Sequence, residues 1–180
     1  MPYSILYADP PWDYGGKTQH TSGAFKEGKS AVDHYQTLPL PALKALKVGA
    51  LAAPDSLLFL WTSSPHLPQA LELMAAWGFV YKTVAFVWHK QKTNPGYYTL
   101  SSCELCLVGK RGTIPSPRGS RKEHQFLSEL RGVHSAKPAE VRDRICRMFP
   151  TQKKVELFAR QKTAGWDVWG NEIESDVALE

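Results

Sequence analysis

Residues 3 to 8, Tyr3-Ser4-Ile5-Leu6-Tyr7-Ala8, form a short apolar run that stops at Asp9-Pro10-Pro11-Trp12. A run of this length, rich in aromatic and branched residues, predicts a buried strand. Two consecutive prolines then forbid its continuation, because proline lacks the N–H that a strand ladder needs. The chain therefore has to turn where a carboxylate, two rigid residues and an aromatic come together. In open α/β sheets that place, the carboxyl edge, is where ligands bind. The same four residues also suit a plain strand-ending turn, since Asp and Pro both favour turns.

The remaining pattern alternates strands and helices. Strand-like runs span residues 3–9, 57–62, 80–89, 103–109, 153–159 and 166–170. Leu67, Leu71 and Met74 repeat at helical spacing behind Ser64-Pro65, and Val141, Ile145, Met148 and Phe149 do so behind Lys137-Pro138. Arg142, Arg144 and Arg147 are expected to point away from that second stripe. Alternation of this kind predicts an α/β layered fold. With 180 residues and 43% hydrophobic content, the chain suits a single domain over 1–180, with a tail from about residue 173.

Several function classes are disfavoured. No run of 18 apolar residues occurs, and Met1-Pro2-Tyr3-Ser4 lacks a basic-then-apolar leader, so a cytoplasmic protein without membrane contact is expected. Cys103 and Cys106 have no second pair to complete a zinc site, so no metal is assigned. The absence of a GxGxxG or phosphate loop argues against nicotinamide and nucleoside triphosphate cofactors. Net charge is a mild +5, but Lys110, Arg111, Arg118, Arg121, Lys122 and Arg131 outnumber Glu123 and Glu129 in a Gly-, Ser- and Pro-rich stretch. Such a segment suits a phosphate backbone, with Arg118, Arg121 and Lys122 as its central contacts, although a solvated loop has the same composition. Residues 13–37 and 110–134 lack periodicity and are expected to close over a pocket at the Asp9 turn.

The turn has the parts needed to hold a flat, amino-bearing base. An exocyclic amine on adenine is a poor nucleophile because its lone pair is delocalised into the ring. Asp9 is placed to accept one amine hydrogen and the Pro10 carbonyl the other, drawing the nitrogen toward tetrahedral geometry, while Pro11 keeps the turn rigid. Trp12, or the neighbouring Tyr14, is expected to stack on the base. A duplex target would have to be flipped out to reach it.

The chain resembles the adenine-N6 methyltransferases that begin this motif with Asp-Pro-Pro-Trp. That family includes the catalytic subunit of the eukaryotic messenger-RNA adenosine methyltransferase and small bacterial and phage enzymes. The matching segments are Asp9 to Trp12, His34-Tyr35, Phe59 to Thr62, Ala76 to Phe79, Phe86 to Lys90, Glu104 to Gly109, His134 to Pro138, Glu156 to Arg160 and Trp166 to Glu172, in order along nearly the whole chain. The resemblance implies a Rossmann-like S-adenosylmethionine-dependent methyltransferase fold with circularly permuted motif order, the target-base motif coming before the cofactor segments. It assigns the cofactor to Asp9, Lys137, Glu156, Phe158, Arg160, Asn171 and Glu172, with Asn171 and Glu172 at the ribose and Lys137 and Arg160 near the ribose and the methionine carboxylate. It assigns substrate contacts to His34, Tyr35, Trp61, Lys90 and Glu104, beside the stacking candidate Tyr14, and His134 is read as structural.

The activity so implied is methyl transfer to adenine N6 in DNA, by a bacterial or phage-encoded enzyme acting as a monomer, a homodimer or a heterodimer with a related subunit. Three alternatives remain. RNA adenosine would be served by the same chemistry; a non-catalytic nucleic-acid-binding subunit usually lacks the first acid, which is present here; and enzymes for cytosine N4 or glutamine generally begin the motif with Ser or Asn.

Overall fold

The computed structural model describes residues 2–13, 37–96, 98–130, 132 and 136–179. Seven strands form one sheet: β1 Tyr3–Ala8, β2 Ala52–Thr62, β3 Val80–Asn94, β4 Ser101–Arg111, β5 Phe126–Ser128, β6 Lys154–Leu157 and β7 Asp167–Trp169, in the spatial order β5-β3-β4-β2-β1-β6-β7. β4 runs antiparallel to β2 and β3, and the other neighbouring pairs run parallel. Helices α1 Leu40–Ala45, α2 Val48–Leu51 and α3 Leu67–Ala76 pack on one face, and α4 Ala139–Met148 on the other. This is the α/β layered architecture that the alternation of elements predicts.

Strand alternation sorts the core. Leu6 and Ala8 of β1 join Leu43, Val48, Leu73, Met74 and Trp77, whereas Ile5 and Tyr7 join Val141, Ile145 and Phe149. Because successive strand side chains point to opposite faces, a strand buried on both faces reads as the continuous apolar run seen in β1. Burial also corrects the expected stripe of α3. Ala70, Leu73, Met74 and Trp77, at i, i+3, i+4 and i+7, are buried, while Leu71 is exposed. Leu67 packs on the same cluster one turn earlier, and the small Ala70 is the member that apolarity counting passes over.

β1 is the point where the connections change side. From β1 the chain passes through α1 and α2 to β2 on one flank, while β6 on the other flank is reached through α4 on the opposite face. A crevice opens outside the carboxyl end of a strand so placed. Asp9 is the first residue beyond that end.

Several expectations are corrected. β2 starts at Ala52 and β3 extends to Asn94, both longer than the apolar cores that announced them, and α1 and α2 lie in a stretch given no element from the sequence. Residues 110–134 are not one loop, since Lys110 and Arg111 end β4 and Phe126–Ser128 forms the edge strand β5. The expected tail folds back: Asp176 exchanges hydrogen bonds with Val168, and Val177 and Leu179 pack on the core. No helix among the described residues is long and apolar enough to cross a membrane.

Candidate active site

The turn after β1 is rigid in the way its prolines require. The Trp12 amide donates to the Pro10 carbonyl at 2.9 Å, closing a tight three-residue turn, and the Leu38 amide donates to the Pro11 carbonyl at 3.0 Å. Trp12 does not offer an open stacking face as expected. It is only 8% exposed, its ring stacks on His66, and its indole N–H donates to the Trp61 carbonyl. Trp12 therefore anchors the turn to the end of β2. Tyr14, His34 and Tyr35 lie outside the described residues, as does His134.

Asp9 is held by a chain of alternating charges. Lys137 Nζ, from the residue before the α4 N-cap Pro138, donates to Asp9 Oδ2 at 2.8 Å and lies 3.1 Å from Glu104 Oε2. Lys90 Nζ lies 3.3 Å from the other oxygen, Glu104 Oε1. Two cations and two carboxylates thus converge from β1, β3, β4 and the start of α4. Burial by itself would strip the proton from Lys137, but Asp9 and Glu104 outweigh it and hold the ammonium above its ordinary pKa. Burial likewise opposes ionisation of Glu104, and Lys137 and Lys90 overcome it to keep this carboxyl below its usual value. Trp61 forms a wall of this cluster: it is fully buried, its indole N–H donates to Tyr7 Oη at 2.7 Å, and Lys137 Nζ stands 5.6 Å from its ring centre.

Beneath Asp9, on the same face, Glu156 of β6 is buried and paired with Arg142 of α4 at 2.9 Å. Burial raises the Glu156 pKa against the pull of Arg142, and the charge of Asp9 raises it further. Its Oε2 has no hydrogen-bond partner among the described residues. Arg142 was expected to point outward. It flanks Val141 and precedes Ile145 by one turn, so its side chain runs along the buried stripe to reach an acid inside, a pairing legible only once β6 is set beside β1.

The ends of β6 and β7 meet at the same edge. Phe158, just past β6, adopts φ +61°, a left-handed backbone that a bulky residue takes only where the surroundings enforce it. Its ring packs edge-on against Trp169, and the Ala159 amide donates to the Trp169 carbonyl. Gly170 lies against this turn so closely that a Cβ there would stand 2.0 Å from the Ala159 carbonyl oxygen. Arg160, Asn171 and Glu172 follow as exposed residues at this edge.

The basic segment is placed elsewhere. Ser56 pairs with Arg111 at the start of β2, the sheet edge opposite Asp9. Arg111 donates to the carbonyls of Gly49, Trp77 and Gly78, binding the ends of two helices to β4. Gly119 and Ser120 bond to the carbonyls of Met148 and Arg147 at the far end of α4, and the Arg118 guanidinium sits over the Phe149 ring. Arg118, Arg121 and Lys122 consequently do not flank the Asp9 crevice. The segment returns to the site edge only through β5, which runs parallel to β3.

A family model, MT-A70, matches residues 3–172. The chain belongs to the MT-A70 family. It is 50% identical over 95% of its length to the type II methyltransferase M.MunI of a Mycoplasma species, covering 78% of that protein. It is 30% identical to an MT-A70-like N(6)-adenosine-methyltransferase of Arabidopsis thaliana and 25% identical to the human N(6)-adenosine-methyltransferase catalytic subunit METTL3, covering 24% and 28% of those proteins respectively. The chain thus spans about a quarter of the length of these MT-A70 relatives from plant and animal. Membership makes this chain a methyltransferase and gives the carboxylate cluster at the end of β1 its chemical context.

Proposed function

We propose that the chain transfers a methyl group from S-adenosylmethionine to the N6 amine of adenine in DNA. The observation that carries this reading is Asp9: an acid at the switch point of the sheet, on a proline-locked turn, with its charge held by a buried lysine. The type II methyltransferase relative, matched over most of both chains, supports DNA as the substrate. The adenosine methyltransferases, matched over about a quarter of their length, support RNA as the alternative.

The residues at this edge fit the cofactor. An amino acid zwitterion needs an acceptor for its ammonium and a cation for its carboxylate, and Asp9 and Lys137 stand side by side as such a pair. Glu156 Oε2 is a buried acceptor left open below the Phe158 turn. Asn171 and Glu172 at the end of β7 offer amide and carboxylate partners for ribose hydroxyls, and Arg160 adds a cation beside them. When bound, S-adenosylmethionine supplies an electrophilic sulfonium methyl.

The protein's part is to orient and stabilise. The Asp9 carboxylate accepts one amine hydrogen and the Pro10 carbonyl, through its second lone pair, accepts the other. As positive charge grows on the amine, these acceptors stabilise it before a proton leaves to water. Lys137 fixes the Asp9 carboxylate in position through their ion pair, and Glu104, tied to the same lysine, is placed to accept a hydrogen bond from the nucleoside. Incubation with labelled S-adenosylmethionine and matched DNA and RNA oligonucleotides, followed by nucleoside mass spectrometry, tests the reading. N6-methyladenine in DNA is the expected product; label on cytosine or on protein, or none, sinks it.

A further inference from the structure

The arm formed by the ends of β3 and β4 projects past the carboxyl edge beside the Asp9 cluster. His89 pairs with Cys103, but the next pairing is Asn94 with Ser101, so four residues of β3 face one of β4. Excess length on one strand of a ladder bends it, and Gln91 takes up the bend at φ +54°. Beyond that bend residues 92–96 and 98–100 are exposed. Tyr98 is fully exposed and Leu100 is 67% exposed.

Composition and placement say what this arm meets. Between His89 and Cys103 the chain carries Lys90 and Lys92, no acid, and the hydrogen-bonding side chains of Gln91, Thr93, Asn94, Thr99, Ser101 and Ser102. A fully exposed tyrosine buries nothing in the folded chain, whereas a base offers it a π-face on which to stack. The root of the arm is wired into the site: Lys90 holds Glu104, which shares Lys137 with Asp9. A polynucleotide that brings an adenine to Asp9 passes this arm, while Arg118, Arg121 and Lys122 lie at the other edge.

We propose that the β3–β4 arm is a nucleic-acid contact in which Tyr98, backed by Leu100, occupies the base stack next to the extruded adenine and Lys92 meets the adjoining phosphate. This inference rests on the adenine-methyltransferase reading and adds the element that engages the strand. Stacking at the gap left by a flipped base offsets unstacking, so the contact matters most for a fully paired target.

The test compares Tyr98→Ala, Leu100→Ala and a control, Ile114→Ala, exposed on the segment that leaves β4 at the opposite edge. Fluorescence anisotropy on a labelled duplex, without methyl donor, reads binding. Methyl transfer is then measured on a paired duplex and on one with a mismatch opposite the target adenine. Loss of one base–aromatic stack predicts roughly tenfold or greater loss of kcat/KM for Tyr98→Ala on the paired duplex and a smaller loss on the mismatch. Binding falls with it, S-adenosylmethionine affinity is unchanged, and the control behaves as the parent. Parental binding and methylation by Tyr98→Ala overturn the arm and leave the reading standing. A loss accompanied by a change of mass in light scattering also overturns it, because the arm is then a contact between protein chains. If the parent methylates no oligonucleotide, the reading fails, and the anisotropy series still decides the arm.

Discussion

The two edges of the sheet carry charge in opposite ways. At the carboxyl edge, Asp9, Lys137, Glu104 and Lys90 form a short alternating chain, largely withdrawn from water. Toward the opposite edge, Arg147 in the last turn of α4 bridges Glu123 and, back along the helix, Glu140, with Arg111 and Arg118 spent on helix carbonyls and an aromatic ring. The arginine-rich edge is the more basic in composition, yet its cations serve the fold. At the carboxyl edge Lys137 and Glu104 keep their charges against the pull of burial, each through its partners, whereas the shifts of Glu123, Glu140 and Arg147 come from hydrogen bonds made near the surface; a low-dielectric surround penalises any ion left unpaired. Density of charge along the chain is thus a poor guide to chemistry, and burial of charge a better one.

The largest effect belongs to Asp9. Asp9→Ala should leave the fold intact and lower methyl transfer by about 10² to 10³, as loss of one preorganised electrostatic group does. Near-parental turnover of the purified variant would remove Asp9 from the reaction. Lys137→Met comes next. It leaves the Asp9 and Glu104 carboxylates facing one another, so unfolding in urea should show a loss of about 3 kcal/mol, together with weakened S-adenosylmethionine binding by calorimetry. Equal stability and affinity would mean that the carboxylates are not held by this lysine.

Asn171→Ala and Glu172→Ala should each weaken the cofactor by about 1 kcal/mol, the scale of a single hydrogen bond, and leave DNA affinity near parental. Unchanged cofactor affinity in both variants takes the end of β7 out of the site. A pH series isolates Glu104. Its native pKa is lowered, so the stability it contributes is complete above the ordinary carboxylate range and is lost as pH falls through the native value. The stability gap between the parent and Glu104→Gln should therefore be widest at neutral pH and close in acid; a gap constant with pH would falsify the assignment. Smallest of all is the opposite edge. Neutralising Arg118, Arg121 and Lys122 together should leave the salt dependence of DNA binding as in the parent, whereas a slope flattened by about 0.9 per lost contact would bring that edge into the nucleic-acid track.

Much of this was legible before any coordinates. The run from Tyr3 to Ala8 and its Asp-Pro-Pro stop announced β1 and the turn that ends it, because an apolar run bounded by two prolines is a strong local signal. The strand cores of β2, β4, β6 and β7 and the existence of α3 and α4 followed from periodicity in the same way. The face of α3 did not, since Ala70 carries little hydrophobic signal although it is fully buried. The edge strand β5 escaped too, being three residues long and stabilised by its pairing with Val87 to His89.

What the sequence alone determined is the alternation of elements and the residue types delivered to the end of β1. Only the tertiary structure decided which distant residues share that end. Pairing of β6 beside β1 brought Glu156 and Arg142 beneath Asp9, and the antiparallel course of β4 carried Glu104 to the site while sending Arg111 and the basic segment to the other edge. Strand direction is set by pairing across many residues of chain, and no local pattern encodes it. For the same reason Trp12, which reads as a stacking face, became an anchor once His66 and the Trp61 carbonyl were folded against it.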